Sequence, residues 1–320
     1  MSQKNLLLIV NPCSGKGKMK TALFSVVDIF SKADYDVTVY TTRARSDATE
    51  KVKTIKNGEY DLMVVCGGDG TLNEVISGLM QTNNNCPIGY IPAGTLNEWS
   101  GGLGISRSIK KAATDIVNGR EITLDIGRFS DNFFTYTASF GAFTDVSYST
   151  SQKFKTVLGQ AAYFLAGIKS VANIKAIELK LECDERKIEG KFLFGAISNS
   201  LSVGGIVKFD KSTVTLNDGL FEVLLIRKPK NLLKLKSVAD GILKHDLNRE
   251  GMEFFHTKSI KILNGEGLDW TLDGEHAVSH DITEIENIHN AVRFIIPRAD
   301  EKKKKNKKDV QNIITKENNQ

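Results

Sequence analysis

The chain has no paired cysteines. Cys13, Cys66, Cys86 and Cys183 are scattered, with no C-x-x-C among them. Neither a disulfide framework nor a zinc site is expected, and the reading is of a reducing, cytoplasmic protein. Cys66, inside an apolar stretch, reads as a small core residue. Long apolar runs are missing too. Leu6 to Val10 is too short for a signal peptide, and nothing approaches the length of a transmembrane helix. The charge is weakly one-sided: the net is +5, and residues 301–320, with seven lysines against three acids, hold +4 of it. No aromatic residue interleaves those lysines, so stacking on nucleic acid is not expected. H-E-x-x-H and the Walker G-x-x-x-x-G-K-[ST] are both absent.

Glycine turns organise what is there. The apolar stretch Leu62 to Cys66 runs into Gly67-Gly68-Asp69-Gly70-Thr71, and Leu72, Val75, Ile76 and Leu79 follow at helical spacing. Glycines let backbone N–H groups approach a ligand, and a helix N-terminus adds a positive dipole; together they suit a phosphate. Asp69 in that turn would face the phosphate, which suggests proton or metal chemistry. Plain turn chemistry is the alternative reading of one such element. A second follows: Ile88 to Ile91 leads to Pro92-Ala93-Gly94-Thr95-Leu96-Asn97-Glu98, so Gly-Thr-Leu-Asn-Glu occurs at 70–74 and again at 94–98. The spacing of one short βα unit predicts two similar turns on neighbouring strands of one sheet edge, where open parallel sheets bind ligands. A third turn, Asn11-Pro12-Cys13-Ser14-Gly15-Lys16-Gly17-Lys18, follows the strand Leu6 to Val10; it reads equally as a phosphate turn or an exposed basic loop.

Strand–helix alternation over some 120 residues predicts a doubly wound parallel sheet. It includes a strand Asp36 to Tyr40, a helix from Ser46 or Asp47 with Asp47 and Glu50 as a capping box, a stop at Asn57-Gly58, and a helix from about Ser108 to Asn118. Beyond Gly119 strands dominate: 122–129, 133–140, 176–183, 187–198, 219–227, 259–263, 271–272 and 292–296, with helices only near 155–171 and 232–243. The expected plan is an α/β domain over 1–129, a mainly antiparallel β domain over 130–298 and a disordered basic tail over 299–320. Phe154–Val171 reads as a core helix rather than a membrane-contacting one. His276 and His280 read as solvated or core histidines, not metal ligands.

With these motifs in order, the chain resembles the soluble bacterial diacylglycerol kinases and the wider diacylglycerol/sphingoid lipid kinase family. The resemblance is carried by N-P-C-S-G (11–15), G-G-D-G-T-L-N-E-V (67–75), P-A-G-T-L-N-E (92–98), L-D-I-G (124–127), N-D-G-L-F (217–221) and L-D-G-E (272–275). It implies an ATP- and Mg²⁺-dependent kinase that phosphorylates a lipid hydroxyl at the membrane surface. Diacylglycerol, giving phosphatidic acid, is the leading acceptor. The implied nucleotide contacts are Asn11, Pro12, Cys13, Ser14, Gly15, Lys16, Thr42, Gly67, Gly68, Asp69, Gly70, Thr71, Leu72, Asn73 and Thr95. Glu275 and Asp69 are marked as catalytic, with Asp125 a further acidic site residue. Thr215, Asp218 and Leu220 are marked as the magnesium site. The chain departs from the family after Gly-Thr-x-Asn, where Glu98-Trp99-Ser100-Gly101 stands for the usual Asp-Phe-Ala-Arg.

The resemblance also implies that the first domain binds the nucleotide and the second the lipid substrate, with the site in the cleft. It implies peripheral membrane association and no nucleic-acid partner, and the family's dimers make a homodimer one possible assembly. Three readings compete: the lipid kinase, with another lipid such as a sphingoid base as a variant acceptor; an NAD kinase-like enzyme on a soluble substrate; and a non-enzymatic nucleotide or nucleic-acid binder. From pattern alone, Leu272-Asp273-Gly274-Glu275 is also a plain Asp-Gly hairpin.

Overall fold

Leu6–Ile9, Met63–Cys66 and Ile88 are completely buried, the pattern of strands covered on both faces. They belong to β1 (Lys4–Val10), β3 (Leu62–Gly67) and β4 (Ile88–Pro92), which with β2 (Tyr35–Thr41) form a parallel sheet in the order β4-β3-β1-β2. The structure, a computed structural model, describes residues 3–298 except 83, 96, 142–175, 185, 204–206 and 210–213. The helix expected over 155–171 and the tail over 299–320 lie outside the described residues.

The helices of this first unit are α1 (Lys18–Ser31), α2 (Asp47–Lys53), α3 (Asp69–Met80), α4 (Glu98–Gly102) and α5 (Ile109–Val117). Four of them pack in two pairs, α1 with α5 and α2 with α3. Gly78 permits the second pairing: a Cβ there would lie 2.7 Å from Val52 Cβ.

The strands β5 (Arg120–Phe129), β6 (Asn132–Phe134), β7 (Thr137–Gly141), β8 (Ile177–Cys183), β9 (Arg186–Ser198), β10 (Ser202–Val203), β11 (Val207–Lys208) and β12 (Phe221–Arg227) follow. After helix α6 (Leu232–Lys244) come β13 (Met252–Thr257), β14 (Ser259–Ile262), β15 (Asp269–Leu272), β16 (Glu275–Val278) and β17 (Thr283–Ile296). In the second unit the order is β16-β15-β7-β9-β8-β14-β17, with antiparallel neighbours and β12 and β13 branching from β9. Its core is aromatic. Phe129, Phe134, Phe140, Phe192, Phe221 and Trp270 are all buried in one cluster, and the rings of Phe134 and Phe140 lie directly over Gly127 and Gly195.

The expected fold class, a parallel α/β region followed by a mainly antiparallel β region, is the observed one. The chain divides differently from two consecutive blocks. The first unit holds Met1–Ile126, Leu216–Asp218 and 288–298; the second holds Gly127–Thr215 and Gly219–Asn287. The end of β17 returns to the first unit, where Phe294 pairs with Ile88 and Arg293 grips Glu121 through two bonds of 2.6 and 2.8 Å.

Three local expectations need correction. The strand predicted over 133–140 is broken at Thr135-Tyr136, where the backbone turns its N–H groups to the Asp273 carboxylate. Helix α2 ends at Lys53, before Asn57-Gly58, because Thr54 and Ile55 close i→i−3 bonds onto Lys51 and Val52. The capping box at Asp47/Glu50 does not form either. Ser46, the N-cap, has a left-handed backbone (φ 65°) and makes no side-chain cap, while Asp47 accepts from Tyr40 O–H at 2.9 Å and Arg43 N–H at 2.8 Å. The cap comes from Glu74 on α3, whose carboxylate takes the N–H groups of Ser46 (2.9 Å) and Ala48 (3.3 Å), while Thr49 O–H donates to its carbonyl (2.8 Å).

Glu74→Ala removes a charged acceptor from two helix-end amides. It is expected to lower stability by about 1–2 kcal/mol, with Glu74→Gln losing less, as read from urea midpoints.

Candidate active site

The three glycine turns meet at the carboxyl edge of the parallel sheet. After β1, Asn11 donates its N–H to Cys66 C=O (2.9 Å) and its side-chain amide to Thr71 Oγ1 (3.0 Å), while its Oδ1 accepts Cys13 N–H (3.0 Å). One asparagine thus ties the first turn to β3 and to α3. Gly15 (φ +60°) then passes so close to the next turn that a Cβ would lie 2.2 Å from Ala93 C=O. Gly67 C=O accepts from Ala93 N–H (2.7 Å) and from Tyr90 O–H (3.2 Å). A Cβ on Gly94 would sit 2.6 Å from Gly68 Cα. Backbones this close leave their N–H groups, not side chains, as the surface of the edge.

The two copies of Gly-Thr-Leu-Asn-Glu lie on neighbouring strands as expected, since Gly67 pairs with Pro92, yet they fold differently. The first copy is helical: Gly68 is the extended N-cap of α3, Asp69 to Glu74 are its first residues, and the first intrahelical bond is Leu72 N–H to Gly68 C=O (3.1 Å). The N–H groups of Asp69, Gly70 and Thr71 precede that bond and point out of the helix end. In the second copy Asn97 is the left-handed N-cap (φ 50°) of the short α4. Its amide closes a ring on Gly94, accepting Gly94 N–H (2.9 Å) and donating to Gly94 C=O (2.8 Å), and Tyr90 O–H donates to it at 3.2 Å. Burial, then the nearby Asp69 charge, raises the Tyr90 phenol, so it stays a neutral donor.

Thr42, buried at the end of β2, is held by its N–H on Val10 C=O (2.9 Å), and Thr95 is exposed. Leu72 faces the core, and Asn73 accepts Ser77 O–H (3.0 Å). Asp69 is half-buried and Cys13 exposed. The nucleotide residues expected from the sequence are therefore brought to one edge, Lys16 by its place in the turn Ser14–Gly17. Burial pushes the Cys66 thiol up to about 12, in keeping with a core residue. Gly101 is exposed, with open space where a side chain would go.

Asp125, completely buried in β5, is a brace. Its carboxylate accepts Asn290 N–H (2.7 Å) and contacts His289 Nδ1 (3.0 Å), and its own N–H donates to Leu216 C=O (3.0 Å). It thereby fastens the turn carrying Asp218 to β5. Thr215, Asp218 and Leu220 flank Gly219 (φ +78°). They offer one carboxylate and two carbonyls, an oxygen-only set suited to a hard cation. Among the described residues no three His, Cys, Asp or Glu side chains gather into a metal cluster.

Glu275 belongs to the second unit. Leu272 and Glu275 close a two-residue hairpin whose Asp273 (φ 51°) and Gly274 (φ 90°) are both left-handed, the geometry an Asp-Gly turn favours. Sequence reading missed the part played by Asp273. Its carboxylate accepts the N–H groups of Thr135 (2.5 Å), Tyr136 (3.0 Å) and Thr137 (2.9 Å) and the Thr135 hydroxyl (2.7 Å), and Tyr136 O–H returns to its carbonyl (2.8 Å). Full burial raises this carboxyl against the pull of those donors. Glu275 next to it is exposed. His276 contacts Asp269 at 2.9 Å across the hairpin.

Residues 5–129 match the family model described as the diacylglycerol kinase catalytic domain, and 138–294 that of the YegS C-terminal NAD kinase beta sandwich-like domain. The chain is 32% identical to the diacylglycerol kinase of Bacillus subtilis (strain 168) over 297 residues, covering 92% of this chain and 97% of that one. The diacylglycerol kinase of Staphylococcus carnosus is 30% identical over 86% of this chain and 89% of its own. A crystal structure of a diacylglycerol kinase from Bacillus anthracis str. Sterne superposes with a TM-score of 0.75 at 26% identity, covering 92% of this chain and 98% of that one. Two family domains in sequence, near-complete coverage and the glycine-lined edge agree: the chain belongs to the diacylglycerol kinase family.

Proposed function

We propose that this protein transfers the γ-phosphoryl group of ATP to a lipid hydroxyl, with diacylglycerol the leading acceptor and phosphatidic acid the product. The observation that carries the reading is the meeting of three glycine turns at one sheet edge, where helix-end N–H groups and Asp69 stand together in a chain of this family. Phosphoryl transfer asks a protein for positioning and charge compensation more than for covalent chemistry. The N–H groups of Asp69, Gly70 and Thr71 and the turn around Gly15 hold the phosphates, and Asp69 orients the phosphate chain. Thr215, Asp218 and Leu220 would hold a Mg²⁺ ion through one carboxylate and two carbonyls, and Mg²⁺ accompanying ATP would supply charge compensation for the phosphates. Glu275 takes the proton of the acceptor hydroxyl as the new bond forms.

In this reading residues 1–129 serve the nucleotide and 130–298 the lipid. The enzyme meets its acceptor from the membrane surface; no helix among the described residues is long and apolar enough to cross a membrane. The tail supplies attraction: Lys302–Lys305, Lys307 and Lys308 place six charges within seven residues. Each is worth up to about 1 kcal/mol beside an anionic bilayer.

Labelled ATP offered with diacylglycerol, a sphingoid base or NAD tests the reading. Phosphorylation of diacylglycerol is expected; ready phosphorylation of NAD with no lipid product overturns it. Asp69→Ala and Glu275→Ala should each lower kcat at least about 100-fold with little change in melting. The neighbouring carboxylate should behave oppositely in stability. Asp273→Ala leaves three buried N–H groups unpaired, and a loss of about 3 kcal/mol or more is expected by urea titration. Removing residues 301–320 should weaken sedimentation with anionic vesicles and raise the KM for lipid in them, leaving the KM for ATP unchanged.

A further inference from the structure

From the end of β12 into α6 the chain reads Arg227-Lys228-Pro229-Lys230-Asn231-Leu232-Leu233-Lys234-Leu235-Lys236, five cations and no acid in ten residues. The cluster stands out against a body that is close to neutral, since residues 301–320 hold +4 of the net +5 and leave +1 for residues 1–300. Two of the five cations are spent locally: Arg227 pairs with Glu253 and Lys234 with Glu250. Lys228, Lys230 and Lys236 are exposed, as is Lys244 at the end of α6. Among the described residues none of these four makes an ion pair.

A run of lysines alone is an ordinary solvated face. The second observation is apolar. Helix α6 starts at Asn231, whose side chain accepts Lys234 N–H (2.9 Å), and it buries Leu235, Val238, Ala239 and Ile242. Its inner face is complete without Leu233, which is 79% exposed. At helical spacing Leu233, Lys236, Ser237, Asp240 and Lys244 form one outward stripe, with Leu243, 41% exposed, at its margin. Asp240, half-buried, is the single acid of that stripe.

Building on the lipid-kinase reading, we propose that the outer stripe of α6, with Lys228 and Lys230 ahead of it, is a face by which the folded protein docks on an anionic bilayer. Charge complementarity selects the partner: four exposed cations gathered on a nearly neutral body meet lipid phosphates. The leucines select a bilayer over a soluble polyanion. An outward leucine gains by leaving water for hydrocarbon, while the lysines beside it keep their ammonium groups among the headgroups. This contact is fixed on a helix of the second unit, so it sets an orientation at the surface as well as supplying attraction.

Sedimentation of the full-length protein with vesicles tests the proposal, comparing phosphatidylglycerol-rich with pure phosphatidylcholine membranes. Wild type should favour the anionic vesicles. Lys230→Gln with Lys236→Gln should weaken that binding about 10-fold at about 0.1 M salt, and Leu233→Ser about 3- to 10-fold. The leucine effect should persist at about 0.5 M salt, where the lysine effect fades. Lys53→Gln with Lys56→Gln removes the same charge from the first unit and should bind as wild type does. All variants should phosphorylate dispersed dioctanoylglycerol as wild type does. Undiminished binding by both α6 variants overturns the proposal, and so does an equal loss in the control, which marks net charge alone. A lysine effect with no leucine effect overturns it too, since it marks a soluble polyanion as the partner. Wild type that docks through this face yet phosphorylates no diacylglycerol brings down the lipid-kinase reading and leaves the docking face standing.

Discussion

Everything at the glycine-lined edge depends on how closely backbones can pass where β1, β3 and β4 end. Gly94 rests on Gly68 with no space for a methyl group, and Gly15 rests on the Ala93 carbonyl. These contacts hold three loops in one layer without interposed side chains, so the surface they form is peptide N–H. Polar cross-links fix the layer: Asn11 spans to β3 and α3, Tyr90 spans to Gly67 and Asn97, and Asn97 closes on Gly94. A buried amide or phenol with every bond made has one arrangement, which gives the edge its rigidity. Loops positioned in this way lose little freedom when a ligand arrives.

The same economy governs the acidic residues. Within one hairpin Asp273 and Glu275 are two positions apart, yet one is sealed under four donors and the other is exposed. Asp273 holds the break between β6 and β7 against the hairpin, so Glu275 projects from a fixed turn. Asp125 does comparable work in the first unit by fastening the Asp218 turn to β5 while engaging β17. Glu74 lies inside a glycine-rich motif that would suggest ligand binding, yet it caps α2 and so steadies the loop after Thr42. Motif carboxylates in this chain divide between those sealed as structural acceptors and those left exposed.

Much of this was legible in the residues. Period-3.6 and uninterrupted apolar patterns located α3, β1, β3 and β4, because deep burial on both faces of a parallel strand leaves an unmistakable run. The glycine turns and their neighbouring placement followed from spacing alone. Other features were not local. The pentapeptide at 70–74 and 94–98 is identical, but one copy enters a helix and the other forms a ring on Gly94. The choice lies with Asn97, held by Tyr90 on an adjoining strand position, and with α3 packing on α2.

What the sequence determined by itself was fold class, the order of the motifs and the residue types at the glycine-lined edge, since these rest on periodicity and on glycine's missing side chain. Only the tertiary structure decided which acids support and which stand exposed, and that β17 returns to the first unit. Each of these is set by residues more than a hundred positions apart or by cross-strand register, and a register shift of one residue would turn every such side chain to the other face.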